Sequence, residues 1–414
     1  MKLLKVDTLE EAREKLKEFT GKYSLQYKKI SLDEVIESCR GMPLIVSEDI
    51  YASSDIPNFR RSTVDGYAVI ASDTFGAGEA IPVLLKQAGT VSMGKEAGFS
   101  IKNGECAYVP TGGMLPGGAD AVAMVEYCDN SGGSIAVYKA AAPLSGVADI
   151  GEDFRKGDLL LGRGTFLKPA EAGALAAAGI MEIPVFMPLK ISIISIGDEL
   201  VSPETSPKSG EIRDINSYAL KALAERRGFR VVSSCRLPDD EEKLEGRMKE
   251  MLPESDVVII SGGSSKGDAD KTAAVMEHIL KPGIFTHGLS LKPGKPTILG
   301  WDEKSRTIVC GLPGNPAAAL ITFELILGWF IDRIFSRPSP FPIPARVSSN
   351  VPGSPGRSVV LPVRLRLEED GYAAEPVFGK SGMVSILTRS DGYAIIENNR
   401  EGLKKGETVL VHLW

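Results

Sequence analysis

Apolar runs and amphipathic stretches take turns along the second half of the chain. KISIISIG, RVVSSCRL and SDVVIISGG read as strands, the first and last apolar enough for burial on both faces. NSYALKALAERRGF, DDEEKLEGRMKEML and DKTAAVMEHIL have helical spacing, the first predicted to be capped by Asn216 or Ser217 and stopped by Gly228. Strand and helix in alternation predict a mostly parallel sheet covered on both faces. Ligands of such sheets bind beyond the carboxyl ends of the strands.

The first half has another texture. TLEEAREKLKEFT carries Thr8 with Glu11 three residues on, a capping box, and SLDEVIESC repeats the pattern from Ser31. From about Asp55 to Leu144 short apolar runs broken by glycine (DGYAVI, IPVLLKQAG, ECAYVPTGG, DAVAMVEY, SIAVYKA) predict strands and turns. KPAEAGALAAAGI reads as a helix ending near Gly179. AAALITFELILGWFIDRIF is a long apolar run, but Glu324 and Asp332 mark it as a buried helix and not a membrane span. The proline-rich RIFSRPSPFPIPARV predicts a linker, and SVVLPVRLRLE and ETVLVHLW beyond it predict a small all-β domain.

A chain of 414 residues exceeds one ordinary core, so two to four domains are expected. Acidic residues outnumber basic ones, 54 to 48, for a net charge of −6, which gives no support to nucleic-acid binding. The five cysteines are scattered and only three histidines occur, so zinc is disfavoured. The charged N-terminus is unlike a signal peptide, and a soluble cytoplasmic protein with no membrane partner is expected.

Four loops of the α/β section end in unusual chemistry. SIGDEL places Asp198 and Glu199 directly after a buried strand, where plain solvated carboxylates are the ordinary alternative. SGGSSKGDAD offers glycines and serines before a helix start, whose free N–H groups attract anions, and Asp268 and Asp270 suit Mg²⁺ or else cap the helix. KPGKP displays Lys292 and Lys295 on a stiff loop, as if an oxyanion sat between them. GLPGNPAA repeats the strand, glycine turn and helix start, with Asn315 as a natural N-cap and Pro316 as a first helical residue. Together they hold the mixture needed for a phosphorylated ligand with a divalent metal.

These four loops, with RSTVDGYAV (61–69), VPTGGMLPGGADAVAMVE (109–126), GEDFRKGD (151–158) and GEIRDINSY (210–218), occur in the order of the MoeA family, the molybdopterin molybdenumtransferases and the gephyrin-like proteins, which the chain therefore resembles. The resemblance implies an elongated homodimer of four-domain subunits. It has a discontinuous N-terminal domain (1–52 plus 145–187), an inserted β-rich domain (53–144), a molybdopterin-binding α/β domain (188–337) and a C-terminal β-barrel (338–414). It implies insertion of molybdate into the dithiolene of adenylated molybdopterin, with Mg²⁺-dependent hydrolysis releasing AMP. The adenylyltransferase that makes this substrate and the apo-molybdoenzymes are implied partners.

Carried over residue by residue, Asp65, Glu199, Asp270, Lys292 and Lys295 would be catalytic. Glu199, Asp270 and one of Asp239 and Asp240 would hold the metal or a water. Thr111, Ser261, Gly262, Gly263, Ser265, Pro313, Gly314, Asn315 and Pro316 would border the pterin substrate. Asp65 and Thr111 would reach the site of the partner subunit or cross a domain cleft. As ordinary alternatives, Asp65-Gly66 reads as a hairpin turn and Thr111 as a turn closer. The chain departs from the family pattern at Lys266, and at Ala148 and Asp149, where many members carry paired arginines. Insertion of tungstate, a stand-alone adenylylating enzyme and a non-catalytic scaffold are the competing functions.

Overall fold

A computed structural model describes residues 6–23, 25–38, 44–262, 269–337 and 340–414, with only the backbone of Thr20, Ala269 and Asp270. The chain forms two compact units. One comprises Met1–Glu48, Arg163–Lys168 and Ile183–Trp414, the other Asp49–Gly162 and Pro169–Glu182.

The larger unit opens with helix α1 (Leu9–Thr20), started by the capping box that Thr8 and Glu11 form. Ser31 and Glu34 make the same reciprocal pair at the next helix, with bonds of 2.8 and 3.2 Å. The α/β core follows as β1 (Lys190–Ile196), α2 (Asn216–Arg227), β2 (Arg230–Leu237), α3 (Glu241–Met251), β3 (Val257–Gly262), α4 (Ala269–Ile279), β4 (Pro282–His287), β5 (Ile298–Asp302) and β6 (Thr307–Leu312). The sheet order is β2-β1-β3-β6-β5-β4. The first three pairings are parallel and the last two antiparallel. The reversal follows from chain length: the links flanking β5 hold no helix, and a parallel crossover needs about a dozen residues or more.

Side chains of successive strand residues face opposite sides. Ile191, Ile193, Val257, Ile259, Ile308 and Cys310 therefore pack under Leu9, Leu16, Leu220 and Ala224. Ile194, Ile196, Val258, Ile260 and Val309 meet Leu244, Met248 and Met276 on the other face. Burying each such side chain stabilises by about 1.5–3 kcal/mol. The register aligns the strand ends, Ile196 beside both Leu237 and Gly262, and Ser261 beside Leu312. The loops after β1, β2, β3 and β6 therefore leave the sheet at one edge.

The apolar run after β6 is buried but is not one uniform helix. It is α5 (Pro316–Phe323), a π-turn at Glu324–Gly328 and α6 (Trp329–Ile334). Arg13 of α1 donates to the Leu325 carbonyl at 2.8 and 3.0 Å. Its two charges are paired: the Arg227 Nε donates to Glu324 Oε2 at 2.9 Å, and Asp332 faces both Arg227 and Arg337. Burial pushes the Asp332 carboxyl up, against the pull of the two guanidinium groups. No helix among the described residues is long and apolar enough to cross a membrane.

The C-terminal segment closes into a five-stranded barrel of β7 (Ile343–Val347), β8 (Ser358–Glu368), β9 (Gly371–Pro376), β10 (Gly392–Ile396) and β11 (Thr408–Leu413). Its order is β8-β9-β7-β11-β10 and back to β8, around Val347, Val363, Ala374, Ile396 and Val411. The first residues of β8 also pair with Leu291 and Lys292, which fastens the barrel to the lysine loop.

The smaller unit is built on a curled six-stranded sheet. Its order is Ala121–Met124, Gly66–Val69, Glu105–Val109, Val83–Thr90, Ser134–Val137 and Cys128–Ser131. Asp65-Gly66 does not turn a hairpin here: Gly66–Val69 pairs with strands much later in the chain, so Asp65 leads into a central strand.

Candidate functional site

The strand ends of the larger unit open into a cleft of about 930 Å³. The sequence-predicted residues Glu199, Asp239, Ser261, Gly262, Lys292, Lys295, Pro313, Gly314, Asn315 and Pro316 all line it. Gly263, Ser264, Ser265, Lys266 and Asp268 lie outside the described residues, as does the Asp270 side chain, although Asp270 itself falls in the first turn of α4.

The glycines let the loops approach one another. Gly262 has φ +107°, and a Cβ there would lie 2.1 Å from the Ile196 carbonyl oxygen, so a larger residue cannot end β3 this way. A Cβ on Gly314 would come 3.3 Å from the Gly262 Cα, so the two turns sit against each other. A Cβ on Gly197 would lie 2.6 Å from Glu199 Oε2, which puts the Glu199 carboxylate directly over the turn after β1.

The acidic residues divide by role. The Asp198 and Asp239 carboxylates each accept the other's backbone N–H, at 3.2 and 3.3 Å, which joins the ends of β1 and β2. Asp240 is the N-cap of α3, accepting from the Lys243 N–H at 3.0 Å, and that bond, helped by nearby Lys243, holds its carboxyl below the usual range. Asp239 lines the cleft and Asp240 does not. Glu199 and Asp239 are thus two carboxylates on one cleft. Such a pair fits Mg²⁺, which takes one or two carboxylates and completes its shell with phosphate oxygens and water. Among the described residues no group of three or more His, Cys, Asp or Glu is placed to hold a metal ion.

Lys292 and Lys295 are exposed on the loop between β4 and β5. The loop is braced from within, the Gly294 carbonyl accepting from the Thr297 hydroxyl at 2.7 Å. Neither ammonium has a partner among the described residues, an arrangement that leaves both free for an anion. Asn315 occupies the N-cap position of α5 as predicted, but its side chain makes no capping bond. It donates instead to the Ser381 hydroxyl at 3.0 Å.

Asp214, Asn216, Arg357 and Ser381 are among the cleft residues that the sequence does not single out. Asn216 was read as a candidate cap of α2. It is instead the first helical residue, and its amide donates to Ser261 Oγ and to the Gly314 carbonyl, both at 2.8 Å. The capping bond is made by Asp214, which accepts the Ser217 N–H at 3.1 Å. Asp214 and the short polar residues after it were a signal that could have been followed. Arg357 and Ser381 come from the barrel segment, where no local pattern marks them.

Asp65 and Thr111 are on the smaller unit. The Asp65 carboxylate accepts the Thr111 N–H at 2.7 Å and the Thr111 hydroxyl at 3.0 Å. These two bonds, the backbone one foremost, hold the Asp65 carboxyl below its usual range. Asp149 pairs with Arg60 at 2.7 Å.

Three family descriptions match the chain: "MoeA N-terminal region (domain I and II)" over residues 8–179, "Probable molybdopterin binding domain" over 192–333 and "MoeA C-terminal region (domain IV)" over 344–414. The chain is 32% identical to the Molybdopterin molybdenumtransferase of Haemophilus influenzae, covering 98% of each chain. A solved molybdopterin biosynthesis MoeA protein from Pyrococcus horikoshii is 38% identical, with a TM-score of 0.78 over 99% of each chain. A second structure from that organism, 30% identical, gives a TM-score of 0.83 over 99% of this chain and 100% of its own.

Proposed function

The chain belongs to the MoeA family of molybdopterin molybdenumtransferases, enzymes of molybdenum cofactor biosynthesis, and from that premise we propose that its cleft takes adenylated molybdopterin and molybdate and releases AMP. The observation that carries this reading is the meeting of the loops after β1, β2, β3 and β6 with the lysine loop around one cavity. In it the turns at Gly262 and Gly314 bring backbone and the α5 start to a phosphate, which free N–H groups and the helix dipole stabilise.

Lys292 and Lys295 hold the dianionic molybdate or the phosphate link, whose charge they offset. Glu199 orients the attacking water. Glu199 and Asp239, with Asp270, would hold Mg²⁺. When bound, that ion neutralises charge on the pyrophosphate and its leaving group. Gly263 and Ser265 are assigned to the phosphate by the family resemblance alone. Asp65 and Thr111 are assigned to the partner subunit's contribution in a homodimer.

The test is incubation with adenylated molybdopterin, Mg²⁺ and molybdate, following AMP by chromatography. Molybdate-dependent release by the wild type and its loss in Lys292→Ala and in Asp270→Asn are expected. Undiminished release in both folded variants removes these residues from the mechanism, and no release by the wild type overturns the reading. Replacing molybdate by tungstate in the same assay decides which oxyanion is inserted.

A further inference from the structure

The row of strand ends separates the charged groups of the cleft. The lysine loop joins β4 to β5 at one end of the sheet, and Arg357 stands immediately before the strand that pairs with it. Helix α2 joins β1 to β2 at the opposite end, and there the cleft is lined by Asp214 and Asn216. The glycine turns of β3 and β6 lie between. The lysines therefore stand at one end of the site, and the Asp214 carboxylate and Asn216 carboxamide, beside Arg213, at the other.

Those acceptors are incompletely used. Asn216 is only 8% exposed, and its Oδ1 is sealed from water with no hydrogen-bond partner. Its orientation is set, because the Gly314 carbonyl can face only the amide N–H₂. Asp214 is only 6% exposed, and while Oδ1 takes the Ser217 N–H, Oδ2 has no partner among the described residues. A buried acceptor without a donor is costly, and such atoms in a native fold call for an explanation. One such atom, on Asn216, stands two residues from the donor-free but unsealed Oδ2 of Asp214, and since both residues line a ligand cleft they fit a ligand that brings its own donors.

We infer that Asp214 and Asn216 recognise the 2-amino-4-oxopyrimidine edge of the pterin, at the end of the cleft away from Lys292 and Lys295. This inference rests on the proposed reading of the site. The edge carries a ring N–H beside an exocyclic amine, and an ionised carboxylate with a carboxamide oxygen offers acceptors only. A single exocyclic amine, as on adenine, satisfies fewer of them. Orientation follows: the ring sits by α2, the phosphate over the glycine turns and the oxyanion by the lysines.

The test is equilibrium binding of molybdopterin and of AMP, each alone and anaerobically, to the full-length protein and to Asp214→Asn. The variant keeps the oxygen that caps α2 but turns Oδ2 into a donor. Molybdopterin should bind at least about tenfold more weakly, with AMP affinity changed less than about twofold, because a site built for donors rejects a mismatched edge strongly. In the wild type, pterin should displace molybdopterin better than lumazine, which has an oxygen in place of the 2-amino group. That arm needs no variant to fold. Unchanged molybdopterin binding by Asp214→Asn, equal losses for both ligands, or equal competition by pterin and lumazine overturns the recognition alone. A wild type that binds no molybdopterin overturns the functional reading with it.

Discussion

Gly197→Ala separates the chemistry of the cleft from its folding. Gly197 is not among the left-handed glycines, so its backbone accepts alanine. The added Cβ would lie 2.6 Å from Glu199 Oε2, 2.9 Å from Cδ and 3.0 Å from Oε1. Ordinary contact begins near 3.4 Å, so the carboxylate must retreat by about 0.8 Å. Glu199 is exposed and its head is the end of a flexible chain, so the retreat costs the fold little. The reaction is less tolerant, since about 1 Å of misplacement costs ~10²-fold in rate. That factor is about 2.7 kcal/mol of barrier. The assay is AMP release from adenylated molybdopterin, with thermal melting as the control. Release should fall ~10²-fold with the melting temperature moved by no more than about 2 °C. Activity within threefold of wild type refutes the placement of Glu199, and a collapsed melting temperature refutes the claim that only its head is displaced. Gly262→Ala is the contrast, because its Cβ would meet the Ile196 carbonyl oxygen at 2.1 Å, and there the fold itself should fail.

Three further outcomes are expected. Arg227→Met leaves the buried Glu324 carboxylate without its partner, so urea unfolding at neutral pH should show a loss of about 3–5 kcal/mol, and a loss under about 1 kcal/mol would mean the pair is not needed. Asp65 titrates below its usual range, so its bonds to Thr111 are intact at neutral pH and are lost as pH falls through that lowered value. The Thr111 amide resonance should hold steady from neutrality to about pH 5 and move only below about pH 4, and movement above pH 5 would contradict the assigned bonds. Light scattering at micromolar concentration should report a dimer; a monomer would remove the partner-subunit role given to Asp65 and Thr111.

What could be read from the chain was what neighbours in sequence decide. The capping boxes at Thr8 and Ser31 need only residues three apart, and both were found where expected. Apolar periodicity placed β1, β3 and the helices between them, because burial on two faces leaves a continuous run. The four strand-end loops were recognisable because glycine, lysine and carboxylate stand together within each. The misread residues depend on partners far along the chain. Asn216 at a helix start has the local look of a cap, yet its amide bonds Ser261 and Gly314, 45 and 98 residues away. Nothing beside it in sequence announces those acceptors, and with its amide so engaged Asp214 takes over the cap. The π-turn is similar, since its freed carbonyl is held by Arg13, 312 residues earlier. Arg357 joins the cleft because Ser358 pairs with Leu291, a register that no spacing rule contains. The same asymmetry explains why Asp214 and Asn216 went unnoticed as ligand-facing groups. Local rules assign every short polar residue at a helix start a use inside the helix, and only the three-dimensional arrangement shows which acceptor atoms remain unused.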